Sequence, residues 1–183
     1  MLGYLGYKYK FINEKSDFLG IKKIILPGVG TFDYAQKQII EIGILEKLND
    51  LVLSQKVPIL GICLGAQLMT FSSEEGVAMG LKWVDGITVK FEKIDKKLPH
   101  MGWKDVNYSN QSQLFASLPQ NSRFYFLHSY HFKFHSPEQI TATTRHGYEF
   151  PVSFQKDNIY GVQFHPEKSH TFGMQIMKNF EKI

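Results

Sequence analysis

Two stretches of the chain carry residue types capable of covalent chemistry. The first is Gly61-Ile62-Cys63-Leu64-Gly65-Ala66-Gln67, which holds the only cysteine and follows the apolar run 57–60. An apolar run, then Gly-x-Cys-x-Gly, then Ala-Gln-Leu-Met reads as strand, sharp turn, helix. The glycines let the backbone turn tightly and leave room around the residue between them. The thiol is then expected to project from the end of a sheet. The N–H of Leu64 points the same way, at the start of a helix whose dipole favours a thiolate. The second stretch is Phe164-His165-Pro166-Glu167-Lys168-Ser169. Two residues apart in extended backbone, His165 and Glu167 face one side, and Pro166 stiffens the pair. Such a carboxylate orients an imidazole and stabilises its protonated form, which gives a nearby thiol its base. The same spacing also describes a strand-end loop with a surface ion pair. Acyl transfer at Cys63 further needs donors for a developing oxyanion. Leu64 N–H is one, and Pro27-Gly28-Val29-Gly30 offers another from the same carboxyl edge of a parallel sheet. Taken alone, that glycine pair is equally a plain strand-to-helix turn.

The elements that must position these groups follow from the apolar pattern. Strands are expected over residues 8–12, 23–26 and 57–62, the last two with the unbroken apolar character of buried parallel strands. Thr31 is placed to cap a helix carrying Tyr34, Ala35 and Ile39, which Gly43 interrupts before a second piece over 45–53. A short helix runs from the elbow to about Thr70. Beyond Gly80 the texture becomes alternating, with antiparallel strands expected over 87–91, 105–108, 124–134, 140–144 and 152–154. Another strand, 159–163, leads into the His165 segment. A closing helix from about Thr171 places Phe172, Ile176, Phe180 and Ile183 on one face. Alternating β and α, then a β-rich middle and a last helix, make one α/β domain spanning 1–183.

With 183 residues, 43% of them hydrophobic and 21% charged, the composition is that of an ordinary globular protein. A chain of this length buries roughly 70% of its extended surface. The net charge of +4 comes almost wholly from dispersed lysines, Arg123 and Arg145 being the only arginines. No basic stripe interleaves with the aromatics, which argues against a nucleic-acid partner. A single cysteine forms no internal disulfide and builds no thiolate metal site, so no metal or cofactor is expected. A lone thiol, no apolar stretch of membrane-spanning length and no signal-peptide pattern point to a cytoplasmic protein without a membrane partner.

Taken together, the motifs resemble the class I, triad-type glutamine amidotransferases. Cys63 lies in Gly-Ile-Cys-Leu-Gly-Ala-Gln, and His165 and Glu167 lie in Gly-Val-Gln-Phe-His-Pro-Glu-Lys-Ser. Leu26-Pro-Gly-Val-Gly30, Pro99-His-Met-Gly-Trp103 and Phe124-Tyr-Phe-Leu-His-Ser-Tyr130 narrow the match to the glutaminase subunits of imidazole glycerol phosphate synthases. The likeness runs from about Gly6 to the end. It implies a flavodoxin-like amidotransferase domain with a mostly parallel sheet and an antiparallel β-rich insertion. It also implies a reaction. Cys63 attacks the side-chain amide of glutamine to give a thioester and ammonia, His165 moves the proton, and Glu167 orients His165. Leu64 N–H and an amide of Val29 or Gly30 hold the oxyanion. Gly30, Gln67, Glu75, His128, Ser129 and Tyr130 line the glutamine pocket. A (β/α)₈-barrel synthase subunit docks over the site as the other half of a heterodimer and receives the ammonia, with Trp103 and Lys168 at the interface. The barrel's products are imidazole glycerol phosphate and aminoimidazole carboxamide ribotide, in histidine synthesis.

The chain departs from that pattern in three places. The family normally opens with a strand, an Asp-Tyr-Gly-x-Gly-Asn turn and a helix, whereas Met-Leu-Gly-Tyr-Leu-Gly-Tyr matches the end of that helix. Roughly 20 residues, an average strand and helix, are absent from the pattern. Met1 is therefore expected to be an internal methionine of a longer gene or a secondary start. Lys104 stands where asparagine usually follows Gly-Trp, and His146-Gly-Tyr-Glu-Phe150 replaces a Gly-Gly-Glu-Phe-like turn. Similar variants occur in paralogues that supply ammonia for amidination of surface-polysaccharide sugars. A truncated, catalytically silent interaction subunit is the non-enzymatic alternative.

Overall fold

The computed structural model describes residues 1–92 and 95–183. In chain order the first half contains β1 (Ile24–Gly28), α1 (Phe32–Glu41), α2 (Leu45–Asn49), β2 (Ile59–Cys63) and α3 (Leu64–Leu68). There follow β3 (Gly86–Lys90), β4 (His100–Asp105), β5 (Asn107–Tyr108), β6 (Arg123–His128) and β7 (Tyr130–Phe134). The last elements are β8 (Ile140–His146), β9 (Tyr148–Lys156), β10 (Ile159–Val162) and α4 (His170–Lys182).

The central sheet has the order β1-β2-β10-β9-β8-β5. β2 pairs in parallel with β1 on one side and β10 on the other, so all three carboxyl ends meet at one edge. From β10 outward the pairing turns antiparallel through β9, β8 and β5. Two ribbons, β3–β7 and β4–β6, complete the β-rich half. Every residue of β2 is buried, because neighbouring strands and cores on both faces enclose it. Alternation divides its side chains: Ile59 joins Phe32, Leu48, Val52 and Met69 under the first three helices, while Leu60 and Ile62 join Phe124, Phe164, Ile176 and Phe180 under α4.

Several boundaries differ from the pattern-based expectation. Residues 8–12 form no strand: Tyr9 and Phe11 stand exposed against each other, and no described strand offers them an edge. Alternation marks a segment as able to pair, but pairing needs a neighbour. The expected single strand 124–134 is two strands separated by a bend at Ser129 that sends β6 and β7 into different ribbons. β4 begins at His100, ahead of the expected strand 105–108, and is held by register with β6. Thr31 occupies the N-cap position of α1 without a side-chain cap bond; a carboxylate from elsewhere in the chain takes that role, as described below.

Candidate active site

The elbow after β2 is built by backbone contact. Cys63 sits at φ +51°, ψ −113°, a conformation that costs an L-residue free energy and persists only where its surroundings impose it. The imposing contacts come through two glycines. A Cβ on Gly61 would lie 2.6 Å from the Cα of Ala66, and one on Gly65 would lie 1.8 Å from the carbonyl oxygen of Leu26. Only glycine at both positions lets α3 lie this close to β1 and β2. Cys63 is left 8% exposed, its sulfur with the carbonyl of Leu127 at 3.9 Å and the Nε2 of Gln163 at 3.6 Å.

His165 and Glu167 meet, by a different route from the expected one. Pro166–Lys168 is a 3₁₀ turn, not extended chain, and it folds the carboxylate back onto the ring. Proline's fixed φ suits both geometries, so the residue alone did not choose between them. Nδ1 of His165 lies 2.8 Å from Oε1 of Glu167, which directs Nε2 toward the hydrogen bond with Cys63. The backbone around the ring is clamped. His165 N–H donates to the Tyr125 carbonyl at 2.9 Å, and Ser169 Oγ–H donates to the His165 carbonyl at 2.6 Å. Burial, the largest influence on the ring, opposes its charge. The hydrogen bonds and charges of Cys63 and Glu167 outweigh that and push His165 up to about 9. Glu167 moves the opposite way: partial burial acts to raise it, but the bond from His165, its own backbone N–H and the neighbouring cations hold it below its ordinary value. A carboxylate, a ring that favours the imidazolium and a thiol are thus brought together.

The remaining predicted site residues fall into three groups. At the sheet edge, Gly28 pairs in register with Cys63, and the loop it opens carries Val29, 82% exposed, and Gly30 at φ +99°. Leu64, Val29 and Gly30 therefore share one edge. Glu75 reaches the same loop, where its Oε2 accepts the N–H of Phe32 at 2.8 Å and caps α1, the position Thr31 leaves unserved. Asp33 reciprocates by accepting the N–H groups of Val77 and Ala78.

On the β6–β7 side, Gln67 is buried and donates to the Tyr130 carbonyl and to Oε1 of Gln163. His128 is also buried, and both its ring nitrogens are engaged, by His100 at 2.8 Å and by the Tyr130 carbonyl at 2.7 Å. Ser129 and Tyr130 are half-buried beside them. The third group lies beyond the triad turn. Trp103, half-buried, stacks on His170 at 5.2 Å and meets Tyr125 edge-on, while Lys168 lies 5.6 Å from the Tyr125 ring centre.

Two participants were not singled out by the sequence reading. Gln163 lies two residues before His165 within the quoted motif, so a polar side chain ending an apolar buried strand was the available signal. His100 opposes His128 only through the β4–β6 register, which local pattern does not disclose. Among the described residues, no group of three or more His, Cys, Asp or Glu side chains could hold a metal ion, and no helix is long and apolar enough to cross a membrane.

A mixed α/β sheet whose central parallel strand delivers a cysteine, at a strained turn, to a His–Glu pair defines a cysteine-dependent amidotransferase class. Comparison agrees: the family model "Glutamine amidotransferase class-I" matches residues 2–183, and the chain belongs to that family. Within it, the chain is similar to the imidazole glycerol phosphate synthase subunit HisH 2 of Methanococcus maripaludis. That relative is 46% identical over 183 residues, covering 100% of this chain and 91% of the relative. It is also similar to subunit HisH of Bdellovibrio bacteriovorus, 48% identical over 171 residues, 91% of this chain and 84% of that one. A solved glutamine amidotransferase structure superposes with a TM-score of 0.74 at 18% identity, covering 98% of this chain and 90% of that one, which bears on the fold alone.

Proposed function

We propose that the chain is the glutaminase subunit of an imidazole glycerol phosphate synthase, acting in the cytoplasm in histidine biosynthesis. The observation that carries this reading is the Cys63–His165–Glu167 arrangement, with the sulfur at a strained elbow and the carboxylate 2.8 Å from the ring.

Cys63 Sγ attacks the side-chain carbonyl carbon of glutamine, and the tetrahedral oxyanion is held by the N–H of Leu64 and an N–H of Val29 or Gly30. The imidazolium of His165 gives its proton to the departing nitrogen, the C–N bond breaks, and ammonia leaves a thioester on Cys63. Neutral His165 then takes a proton from water, whose oxygen attacks the thioester carbon, and the thiolate leaves as glutamate is released. Glu167 keeps the ring in the tautomer and orientation both steps need. Gly30, Gln67, Glu75, His128, Ser129 and Tyr130 surround the glutamine, His128 acting through the carbonyl of Tyr130 since its own ring is occupied. The ammonia passes to a (β/α)₈-barrel synthase subunit that docks as a heterodimer across Trp103 and Lys168. The names of the HisH relatives support this choice of acceptor.

The test is glutamate release from glutamine with and without a barrel synthase subunit and its ribotide substrate. Release that rises with partner and substrate, and disappears in Cys63→Ala, is expected. Release that no barrel partner stimulates would defeat the assignment to this synthase, and none under any condition would favour the silent interaction subunit.

A further inference from the structure

A buried hydrogen-bond chain runs from β4 to the catalytic sulfur, and one backbone carbonyl sets its polarity. The oxygen of Tyr130 can only accept. It faces Nδ1 of His128 at 2.7 Å and Nε2 of Gln67 at 3.2 Å, so both must donate to it.

From His128 the consequence runs outward. With its proton on Nδ1, Nε2 is an acceptor, so His100 must place its own proton on Nδ1 to donate across the 2.8 Å contact. Nε2 of His100 is then a bare acceptor, and among the described residues it has no partner. That end of the chain stays neutral. Burial, then the charges of His146 and Lys104, push His100 down to about 3, and burial likewise holds His128 well below its ordinary value.

From Gln67 the consequence runs inward. Its amide nitrogen also donates to Oε1 of Gln163 at 3.0 Å, which turns the Gln163 amide so that Nε2 faces Sγ of Cys63 at 3.6 Å. Rotating the Gln163 amide by half a turn would set its NH₂ against the NH₂ of Gln67 and its oxygen against the sulfur. Rotating Gln67 as well would oppose its oxygen to the Tyr130 carbonyl. Gln67 and Gln163 are 4% and 0% exposed, so water is not at hand to relieve either mismatch. The backbone N–H of Gln163 is itself fixed on the Val152 carbonyl.

Resting on the reading of Cys63 as nucleophile, we infer that Gln163 is a further catalytic residue. Its Nε2–H donates to Sγ and favours the thiolate, while Gln67, itself oriented by the Tyr130 carbonyl, is the positioning residue that locks its amide in the donating orientation. A donor aimed at the charged form of a titrating group lowers the free energy of that form. The donor moves no proton and needs no co-reactant. It acts on the attacking sulfur from a fully buried position, and it acts again when the thiolate is expelled from the thioester.

The experiment is the pH profile of Cys63 alkylation by iodoacetamide, followed by intact mass in the wild type, Gln163→Met and Gln67→Met. Cys63 is the sole cysteine, so each added mass reports on it alone. Gln163→Met removes the donor at similar volume. Its alkylation midpoint should rise by about one pH unit, the effect of one lost charge-assisted hydrogen bond. Alkylation at pH 7 should slow severalfold, since a more basic thiolate is also the better nucleophile and recovers part of the loss. Gln67→Met leaves Gln163 in place but free to turn, and should move the midpoint the same way by less. A role confined to packing would leave the midpoint where it is. An unmoved midpoint in Gln163→Met with native near-ultraviolet circular dichroism overturns the inference; should that variant not fold, an unmoved midpoint in Gln67→Met does so instead. Glutamate release is assayed alongside. Normal alkylation without release, even with the barrel subunit and its ribotide substrate present, defeats the glutaminase reading and leaves Gln163 to be judged by the alkylation profile.

Discussion

On the β2–α3 side Cys63 is held by main chain and glycine, whereas on the β6–β7 and β10 side it meets polar side chains tied to one another. The first wall contains no titrating neighbour of the sulfur; its specificity is steric, expressed in contacts a single methyl would destroy. The second wall has His165, Glu167, Gln163, Gln67 and His128, joined by hydrogen bonds of 2.7–3.6 Å. The steric wall decides where the sulfur is, and the polar wall decides what charge it carries there. Damage to the first should appear as lost folding, and damage to the second as altered rates and pH profiles in a folded protein.

The sharpest way to break the contrast is Gly65→Ala. Its Cβ would fall on the Leu26 carbonyl oxygen, and the three nearest atoms are all backbone of Leu26 and Pro27, with no flexible chain end to yield. A loss of about 3 kcal/mol, the upper end of what overpacking usually costs, is expected and is read as a large drop of the urea midpoint. Gly30→Ala is the matched control, for φ is +99° but a Cβ there meets nothing within 4 Å. Only backbone strain remains, about 1–3 kcal/mol. Equal losses in the two variants would mean that close packing is not what shapes the elbow.

On the polar wall, Glu167→Gln keeps a side chain of the same shape opposite Nδ1 and removes its charge. Glutamate release should fall roughly 100-fold, within the range associated with general acid–base assistance, while the urea midpoint falls only modestly, since solvent screening of the partly open carboxylate limits what the pair contributes to stability. The reverse outcome, lower stability at unchanged turnover, would move Glu167 to the structural side.

His165 gives a prediction with a definite sign. Its folded-state value of about 9 lies above the ordinary 6.5, so folding binds its proton more tightly. The stabilisation is complete below about 6.5 and is lost as pH rises through about 9. Glu167 is shifted down from 4.5, so its share is present above that value and lost as pH falls further. The melting temperature of the wild type should therefore exceed that of His165→Ala by most between about pH 5 and 6.5. The gap should close by several degrees toward pH 10. A gap that is flat, or that widens with pH, contradicts the raised value.

How far each wall could be read from sequence follows from the same division. Gly61 and Gly65 mark their elbow openly, because a glycine spaced two from a reactive residue has few other uses in a buried strand–helix turn. The apolar runs behind β1, β2 and β10 are legible because burial on both faces leaves no polar alternation. His165 and Glu167 were found as a pair, yet the 3₁₀ turn joining them was not, since Pro166 fits either backbone. The polar wall beyond them is mostly long-range. The contact of His100 with His128 depends on a register between strands 28 residues apart, and that of Gln67 with Gln163 on the β2–β10 pairing. No local pattern encodes such partners. Residues 8–12 fail for the complementary reason, having the alternation of a strand but no described edge to join.

The smallest expected effect lies at the rim of the polar wall. Lys168 follows Glu167 and holds its ammonium 5.6 Å from the Tyr125 ring, beside the Trp103–His170 stack, on a side chain that is exposed. An exposed cation over an aromatic face contributes only about 0.5–1 kcal/mol. Its charge also lies among the weaker influences holding Glu167 down. If the barrel subunit docks here, Lys168→Ala should weaken the heterodimer a few-fold in titration calorimetry, and Trp103→Ala should weaken it more because the stack anchors a larger apolar area. Both should shift the stimulation of glutamate release to higher partner concentration without shifting the alkylation profile of Cys63. A changed alkylation midpoint in Lys168→Ala would place this lysine with the groups that set the charge of the sulfur, extending the polar wall to the surface.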